Sequence, residues 1–291
     1  MNKWMITVAS WEYRFLGGFQ KSVDKFQPDS VLLYFYREYA TWSAPNRSKV
    51  LSLCNKKGIK LEQYELSFTD HPGSWRVLFN TIAGLQFNEQ RVLVDITTMP
   101  RETIWTIFDL LESRSIKVQY VYNEPSKYNN KWLTRDPGEP RLVYKLSGEV
   151  KMGMPTKILI LTGYDVDRIR HLIQFFEPQC VFLGLQTGDQ LSNQLMNVKK
   201  TKEAFSREQN YKWFDVNAYE NDRGFKTIKK ELSQHLKGSN IVLSSLGPKL
   251  SAIALYNLHK LYPQTCLTYT PSNEFNRRYS SGLGRSHEGF L

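Results

Sequence analysis

The stretch Val92-Leu93-Val94-Asp95-Ile96-Thr97-Thr98-Met99-Pro100-Arg101 decides how this chain reads. An apolar run passes into a short polar turn, then a proline and a base, and helical spacing follows. The same order returns as Ile241-Val242-Leu243-Ser244-Ser245-Leu246-Gly247-Pro248-Lys249, and the two prolines lie 148 positions apart in a chain of 291. Upstream, Phe26-Gln27-Pro28-Asp29-Ser30-Val31-Leu32-Leu33 is matched at an offset of 150 by Phe176-Glu177-Pro178-Gln179-Cys180-Val181-Phe182-Leu183. Downstream, Val118-Gln119-Tyr120-Val121-Tyr122-Asn123-Glu124-Pro125 is echoed by Thr265-Cys266-Leu267-Thr268-Tyr269-Thr270-Pro271. Matches in one order, with offsets drifting by a few residues, predict two similar domains.

Strand and helix patterns alternate in both halves. In the first, strands are expected at Trp4 to Ala9, Ser30 to Tyr36, Lys60 to Leu66, Arg91 to Ile96 and Lys117 to Tyr122. Helices are expected over Gly18 to Phe26, Pro45 to Lys57, Gly73 to Leu85 and Pro100 to Leu111; proline suits a first helical turn because no amide donor is needed there. In the second half, Thr156 to Leu161, Cys180 to Leu185, Tyr211 to Val216, Asn240 to Ser244 and Gln264 to Tyr269 read as strands. Helices are placed over Asp167 to Phe176, Asn193 to Gln209, Gly224 to Leu236 and Pro248 to Leu261. This rhythm predicts an α/β protein with two tandem domains, each a mainly parallel sheet flanked by helices. Pro125, Pro137, Gly138, Pro140 and Gly148 interrupt the pattern. The expected division is therefore residues 1–150, with a hairpin or linker extension at 123–150, and residues 151–291, ending in a tail.

Composition narrows the class. Apolar residues make up 41% of the chain, with no run as long as a membrane span, so no membrane partner is expected. The opening apolar run is broken by Glu12, Tyr13 and Arg14 and reads as a first strand rather than a leader. Three cysteines without a close pair make neither a disulfide framework nor a Cys-rich metal site, and a cytoplasmic location is expected. Cys54, Cys180 and Cys266 read as buried small hydrophobes. The five histidines have no ligand spacing, so neither a metal nor a cofactor is expected, and His259 reads as structural. A formal charge of +11 favours an anionic partner, although the basic residues are dispersed.

Ligands of parallel α/β sheets sit beyond the carboxyl ends of strands, where helix amino termini favour anions. Both repeated turns fall there. Thr97, Thr98, Ser244 and Ser245 supply hydroxyls, Gly247 a backbone donor, Arg101 and Lys249 charge, and Pro100 the helix start. The same residues read equally as ordinary helix caps. Neither turn is a Walker loop or a dinucleotide fingerprint. Asp95 is the best single acid: it would organise the turn, accept from a ribose or base, or act in catalysis if the protein is an enzyme. Its counterpart in the second half is Leu243 or Ser244, which argues against two equivalent catalytic carboxylates. Further polar clusters follow the first strand of each half: Ser10, Glu12, Tyr13 and Arg14, then Thr162, Asp165, Asp167 and Arg168. The tail is expected to fold over the second site, with Arg277, Arg278 and Arg285 meeting phosphates and Tyr279 stacking on a base.

Asp95-Ile96-Thr97-Thr98 with Pro100-Arg101 resembles the strand-to-turn segment of the Rossmann-like nucleotide sensors of bacterial antiviral defence, the CRISPR-associated Rossmann-fold domains and the related sensor with two fused copies. Ser244-Ser245-Leu246-Gly247-Pro248-Lys249 resembles a divergent second version. The sensor's usual glycine pair is missing, and the prolines alter the turn. The resemblance implies two tandem Rossmann-like domains and a non-catalytic module that binds an anionic nucleotide or short nucleic acid. It also implies control of a partner protein, or work as a homo-oligomer. The alternatives are an enzyme acting on a nucleotide or phosphorylated metabolite, and an assembly scaffold.

Overall fold

The structure, a computed structural model, describes residues 3–85, 92–128, 132–188, 192–206 and 210–291. In chain order the first elements are β1 (Trp4–Val8), α1 (Tyr13–Phe26), β2 (Ser30–Tyr36), a 3-10 turn at Arg37–Tyr39, α2 (Ala40–Lys57) and β3 (Lys60–Leu66). Next come α3 (His71–Ala83), β4 (Val92–Asp95), α4 (Arg101–Glu112), β5 (Val118–Asn123), β6 (Lys127–Tyr128), β7 (Thr134–Pro137) and β8 (Arg141–Leu142). The series then restarts with β9 (Thr156–Leu161), α5 (Val166–Phe176), β10 (Cys180–Gln186), α6 (Ser192–Phe205), β11 (Tyr211–Val216), α7 (Phe225–Leu232) and β12 (Asn240–Ser245). It closes with α8 (Leu250–Leu261), β13 (Cys266–Tyr269), β14 (Ser272–Phe275), β15 (Ser280–Ser281) and β16 (Ser286–Phe290).

Two six-stranded sheets result, in the orders β16-β5-β4-β1-β2-β3 and β11-β10-β9-β12-β13-β8. The five main strands of each are parallel, and β16 and β8 join antiparallel. Both sheets therefore run third, second, first, fourth, fifth, and the order reverses between first and fourth strands. That is the arrangement of two Rossmann-like α/β domains.

Each sheet is buried on both faces, as the continuous apolar strands require. In the first, Met5, Val31, Leu33 and Leu93 pack with Phe15 and Phe19 of α1 and Val50 and Cys54 of α2. On the opposite face the Tyr34 hydroxyl meets Thr81 of α3, and the Tyr36 hydroxyl meets Thr103 of α4. In the second, Ile158, Ile160, Val181 and Leu183 pack with Ile169 and Leu172 of α5 and Phe205 of α6.

The chain divides differently from the sequence expectation. One compact unit comprises residues 1–127 with 277–291, and the other residues 128–276. Edge pairing is the reason. β8, from the segment assigned to the first half, hydrogen-bonds to β13 of the second sheet, and β16, from the tail assigned to the second half, pairs with β5 of the first. Each edge strand thereby covers backbone groups that a parallel sheet leaves open.

Several element ends also move. Helix α1 begins at Tyr13, and α2 begins at Ala40 and carries Pro45 inside its first turns. Helix α7 stops at Leu232 rather than continuing to Leu236. Arg91 and residues 207–209, expected at element ends, lie outside the described residues. Cys54 and Cys266 are buried, and burial pushes each thiol up to about 11. Cys180 corrects the expectation: it opens β10 at the sheet's amino end and is partly exposed. Among the described residues no helix is long and apolar enough to cross a membrane.

Candidate ligand-binding edges

In the first unit the strand order reverses between β1 and β4, and the turns after them form the candidate edge. Asp95, the last residue of β4, is buried, and its Oδ1 accepts the Thr97 amide at 2.9 Å. It organises the turn, one of the three roles open to it. The Thr97 hydroxyl is buried and accepts from the backbone and side-chain amides of Asn123, each at 3.0 Å. Thr98 donates to the Val8 carbonyl at 2.8 Å, tying the fourth-strand turn to the first strand. Pro100, with extended backbone, precedes the helix and accepts the Ile104 amide through its carbonyl at 2.9 Å. Arg101 opens α4 and is half-buried.

The loop after β1 is held by charge. Glu12 accepts from Arg14 Nε at 2.6 Å and from Ser280 Oγ at 2.7 Å, and the Tyr279 hydroxyl donates to its other oxygen. Arg14 Nη2 donates to the Tyr279 oxygen at 2.9 Å. Burial alone would raise the Glu12 carboxyl, but the Arg14 charge and the bonds from Arg14, Tyr279 and Ser280 outweigh it, so it sits below the ordinary value. Burial pushes the Tyr279 hydroxyl well up. The tail therefore belongs to the first unit, which corrects its expected place over the second, and the Tyr279 hydroxyl is taken up by Glu12. Arg285 pairs with Glu124 at 3.3 Å, Arg277 stacks on Trp42 with its guanidinium carbon 3.7 Å from the ring centre, and Arg278 is exposed.

Sequence reading missed an aromatic group on the same edge. Trp11 follows β1, Tyr36 ends β2, Tyr39 and Trp42 come next, and Phe68 follows β3. Trp11 lies 5.0 Å from Trp42 edge-on and 5.2 Å from Tyr39, while Tyr36 and Phe68 stack at 3.8 Å. Trp11, Tyr39, Trp42 and Phe68 are each only partly buried. The density of aromatics over Trp11, Tyr13, Tyr34 to Tyr36, Tyr39 and Trp42 was the available signal.

In the second unit the reversal lies between β9 and β12. Strand registers align the halves: Trp4 faces Ser30 and Val92, and Lys157 faces Cys180 and Ile241. Counting up from those partners places Ser244 where the first sheet has Asp95, which resolves the two readings of that position. Ser244 is buried and its hydroxyl has no hydrogen-bond partner among the described residues. Ser245 is buried and shares a 2.7 Å bond with Ser251 of α8. The amides of Leu246 and Gly247 both donate to the Leu161 carbonyl, at 2.8 and 3.0 Å, so the Gly247 donor expected to face a ligand is spent within the fold. Lys249 is half-buried and directly precedes α8.

Two further features mark this edge. Asp165 caps α5 through the Arg168 amide at 3.0 Å and accepts from Thr134 at 3.1 Å, while Arg168 Nη2 donates to Thr134 and Ser272. An acid and an arginine thus hold the loop after the first strand in both units. Gln186, at the end of β10, is 4% exposed; its Oε1 accepts the Ala218 amide at 3.4 Å, but its Nε2 has no partner among the described residues. That amide abuts Gly247, where a Cβ would stand 3.2 Å from it. A buried, unspent donor at the carboxyl edge is a feature that an acceptor on a ligand would satisfy.

Among the described residues no group of three or more His, Cys, Asp or Glu is placed to hold a metal ion. His259 is buried, and its Nδ1–H donates to the Thr265 carbonyl at 2.8 Å, a structural role.

No family model matches the chain, and no curated protein does. Among solved structures the chain is similar to a type III CRISPR defence DNA nuclease activated by cyclic oligoadenylate, at 9% identity and a TM-score of 0.56. The match covers 87% of this chain and 63% of that one, so the chain spans under two thirds of the nuclease's length. At this identity the likeness is one of fold. A universal stress protein from Archaeoglobus fulgidus DSM 4304 (10% identity, 91% of this chain and 94% of that one) and the YdjI aldolase from Escherichia coli K12 (11%, 90% and 92%) match at TM-scores of 0.28 and 0.18, too low to weigh.

Proposed function

We propose that this protein is an oligonucleotide sensor of an antiviral defence system, binding a signal of the cyclic oligoadenylate type and passing that binding to a partner protein or a second copy of itself. The observation that carries the reading is the chemistry at the two strand-order reversals. At each, hydroxyl-bearing residues stand at the carboxyl end of the fourth strand or in the turn after it, Thr97 and Thr98 in one unit and Ser244 and Ser245 in the other, and a basic residue stands at the start of the next helix, Arg101 and Lys249. Oligoadenylate offers phosphates to such bases and adenine faces to aromatic side chains. Trp11, Tyr39, Trp42 and Phe68 on the first edge, and the Gln186 amide on the second, fit that demand. The fold shared with a nuclease activated by cyclic oligoadenylate supports the same reading.

The test is calorimetric titration of the purified chain with cyclic and linear oligoadenylates of several ring sizes and lengths, and with AMP. Saturable binding of one cyclic species, much tighter than AMP, is the expected outcome. A folded protein that binds none of them saturably would sink the reading.

A further inference from the structure

Away from both carboxyl edges, Lys157, Phe182 and Lys212 stand side by side at the amino ends of β9, β10 and β11. Phe182 is in register with Lys212, and Lys157 lies on the same face by strand alternation. His235, just beyond α7, packs on the Phe182 ring at 5.1 Å. Lys157 Nζ is 3.1 Å from His235 Nδ1, and Lys212 Nζ is 3.3 Å from His235 Nε2. No carboxylate pairs with either lysine among the described residues.

Those two contacts conflict. A neutral imidazole has one acceptor nitrogen and one N–H, so it accepts from one ammonium and must turn its N–H towards the other. Protonating the ring would place three cations together. Burial, then Lys157 and Lys212, accordingly hold His235 below its ordinary value. An oxyanion resolves the conflict: one lysine donates to the acceptor nitrogen and fixes the ring, and the anion accepts from the imidazole N–H and from the other ammonium, which the N–H would otherwise face.

We infer that Lys157, Lys212 and His235 form a second anion site, at the amino end of the second sheet, for a phosphate group, whether free phosphate or the monophosphate of a nucleotide. It does not rest on the oligonucleotide reading, which concerns the opposite ends of the strands.

The experiment follows the histidine ring signals of the full chain by NMR at constant ionic strength, titrating inorganic phosphate in one arm and AMP in the other. His235 is assigned by the signal lost in His235→Gln. Saturable movement of the His235 signals in either arm is expected, and the arm that saturates at lower concentration identifies the source. In the Lys157→Met, Lys212→Met double variant the affinity should fall about tenfold or more. Circular dichroism and an unchanged melting temperature certify that this variant is folded. No saturable movement in either arm, movement reproduced by chloride, or undiminished binding in the folded double variant would each overturn the site.

Discussion

Arg14 and Glu12 form an ion pair two residues apart at the carboxyl edge of the first sheet, with Nε 2.6 Å from Oε2 and side chains only 3% and 5% exposed. Taking both charges out of water is costly, and the loop tolerates it because Tyr279 and Ser280 reach Glu12 from the far end of the chain. The pair therefore does more than close a turn. It fixes residues 277–281 onto the first unit.

Removing one charge should expose that dependence. Glu12→Gln leaves Arg14 buried without its counter-charge and should cost about 3–5 kcal/mol. Tyr279→Phe removes the two hydrogen bonds of its hydroxyl, to Glu12 and from Arg14, but leaves the ion pair intact, and should cost less, about 1–3 kcal/mol. Urea unfolding measures both, and equal losses would contradict the hierarchy.

Acid should weaken the fold in two stages. His259 is held below 6.5 by burial, against which its bond to Thr265 works, and His235 is also depressed. The unfolded chain therefore takes up protons before the native one as pH drops past 6.5, and stability falls there. Glu12 is depressed below 4.5, so the stability it contributes is fully present above that value and is lost as pH falls through it towards the lower native value. Urea midpoints from roughly pH 2.5 to 8 should decline towards acid, with the later step, below 4.5, reduced in Glu12→Gln.

Gly163 is irreplaceable on steric grounds. A methyl group there would overlap the Leu246 carbonyl oxygen, where the turn after β12 crosses the end of β9. Gly163→Ala should destabilise by about 1–3 kcal/mol. A melting temperature equal to the wild type's would show that the two turns can separate without loss.

Arg101→Ala and Lys249→Ala test the two edges separately. If each base meets one phosphate, each variant should weaken oligoadenylate binding and flatten its salt dependence by about one counterion. A loss of affinity with an unchanged salt slope would mean that the residue shapes the turn rather than meeting charge. Asp95→Asn should keep the acceptor for Thr97 and leave affinity largely unchanged.

Much of this architecture was legible as pattern. Continuous runs such as Val92 to Val94 announced strands buried on both faces, and the repeated Phe-Xaa-Pro segments announced equivalent helix ends. In the structure Gln27 and Glu177 both turn through left-handed backbone at those ends, with φ of 51° and 42°. The polar clusters after each first strand were also visible, but their partners were not. Nothing local to Glu12 says that its donors lie at Tyr279 and Ser280, and nothing local to Gly247 says that Leu161 takes its amide.

The sequence by itself determined the two α/β domains, their element order and the places where strands hand over to helices. Those depend on periodicity and turn chemistry within a few residues. Tertiary structure alone decided the sheet edges, the membership of residues 128–150 and 277–291, and which polar groups remain unspent. An edge strand chooses its partner by whichever open backbone it can reach. β16 pairs with β5 across more than half the chain, a contact no local pattern encodes.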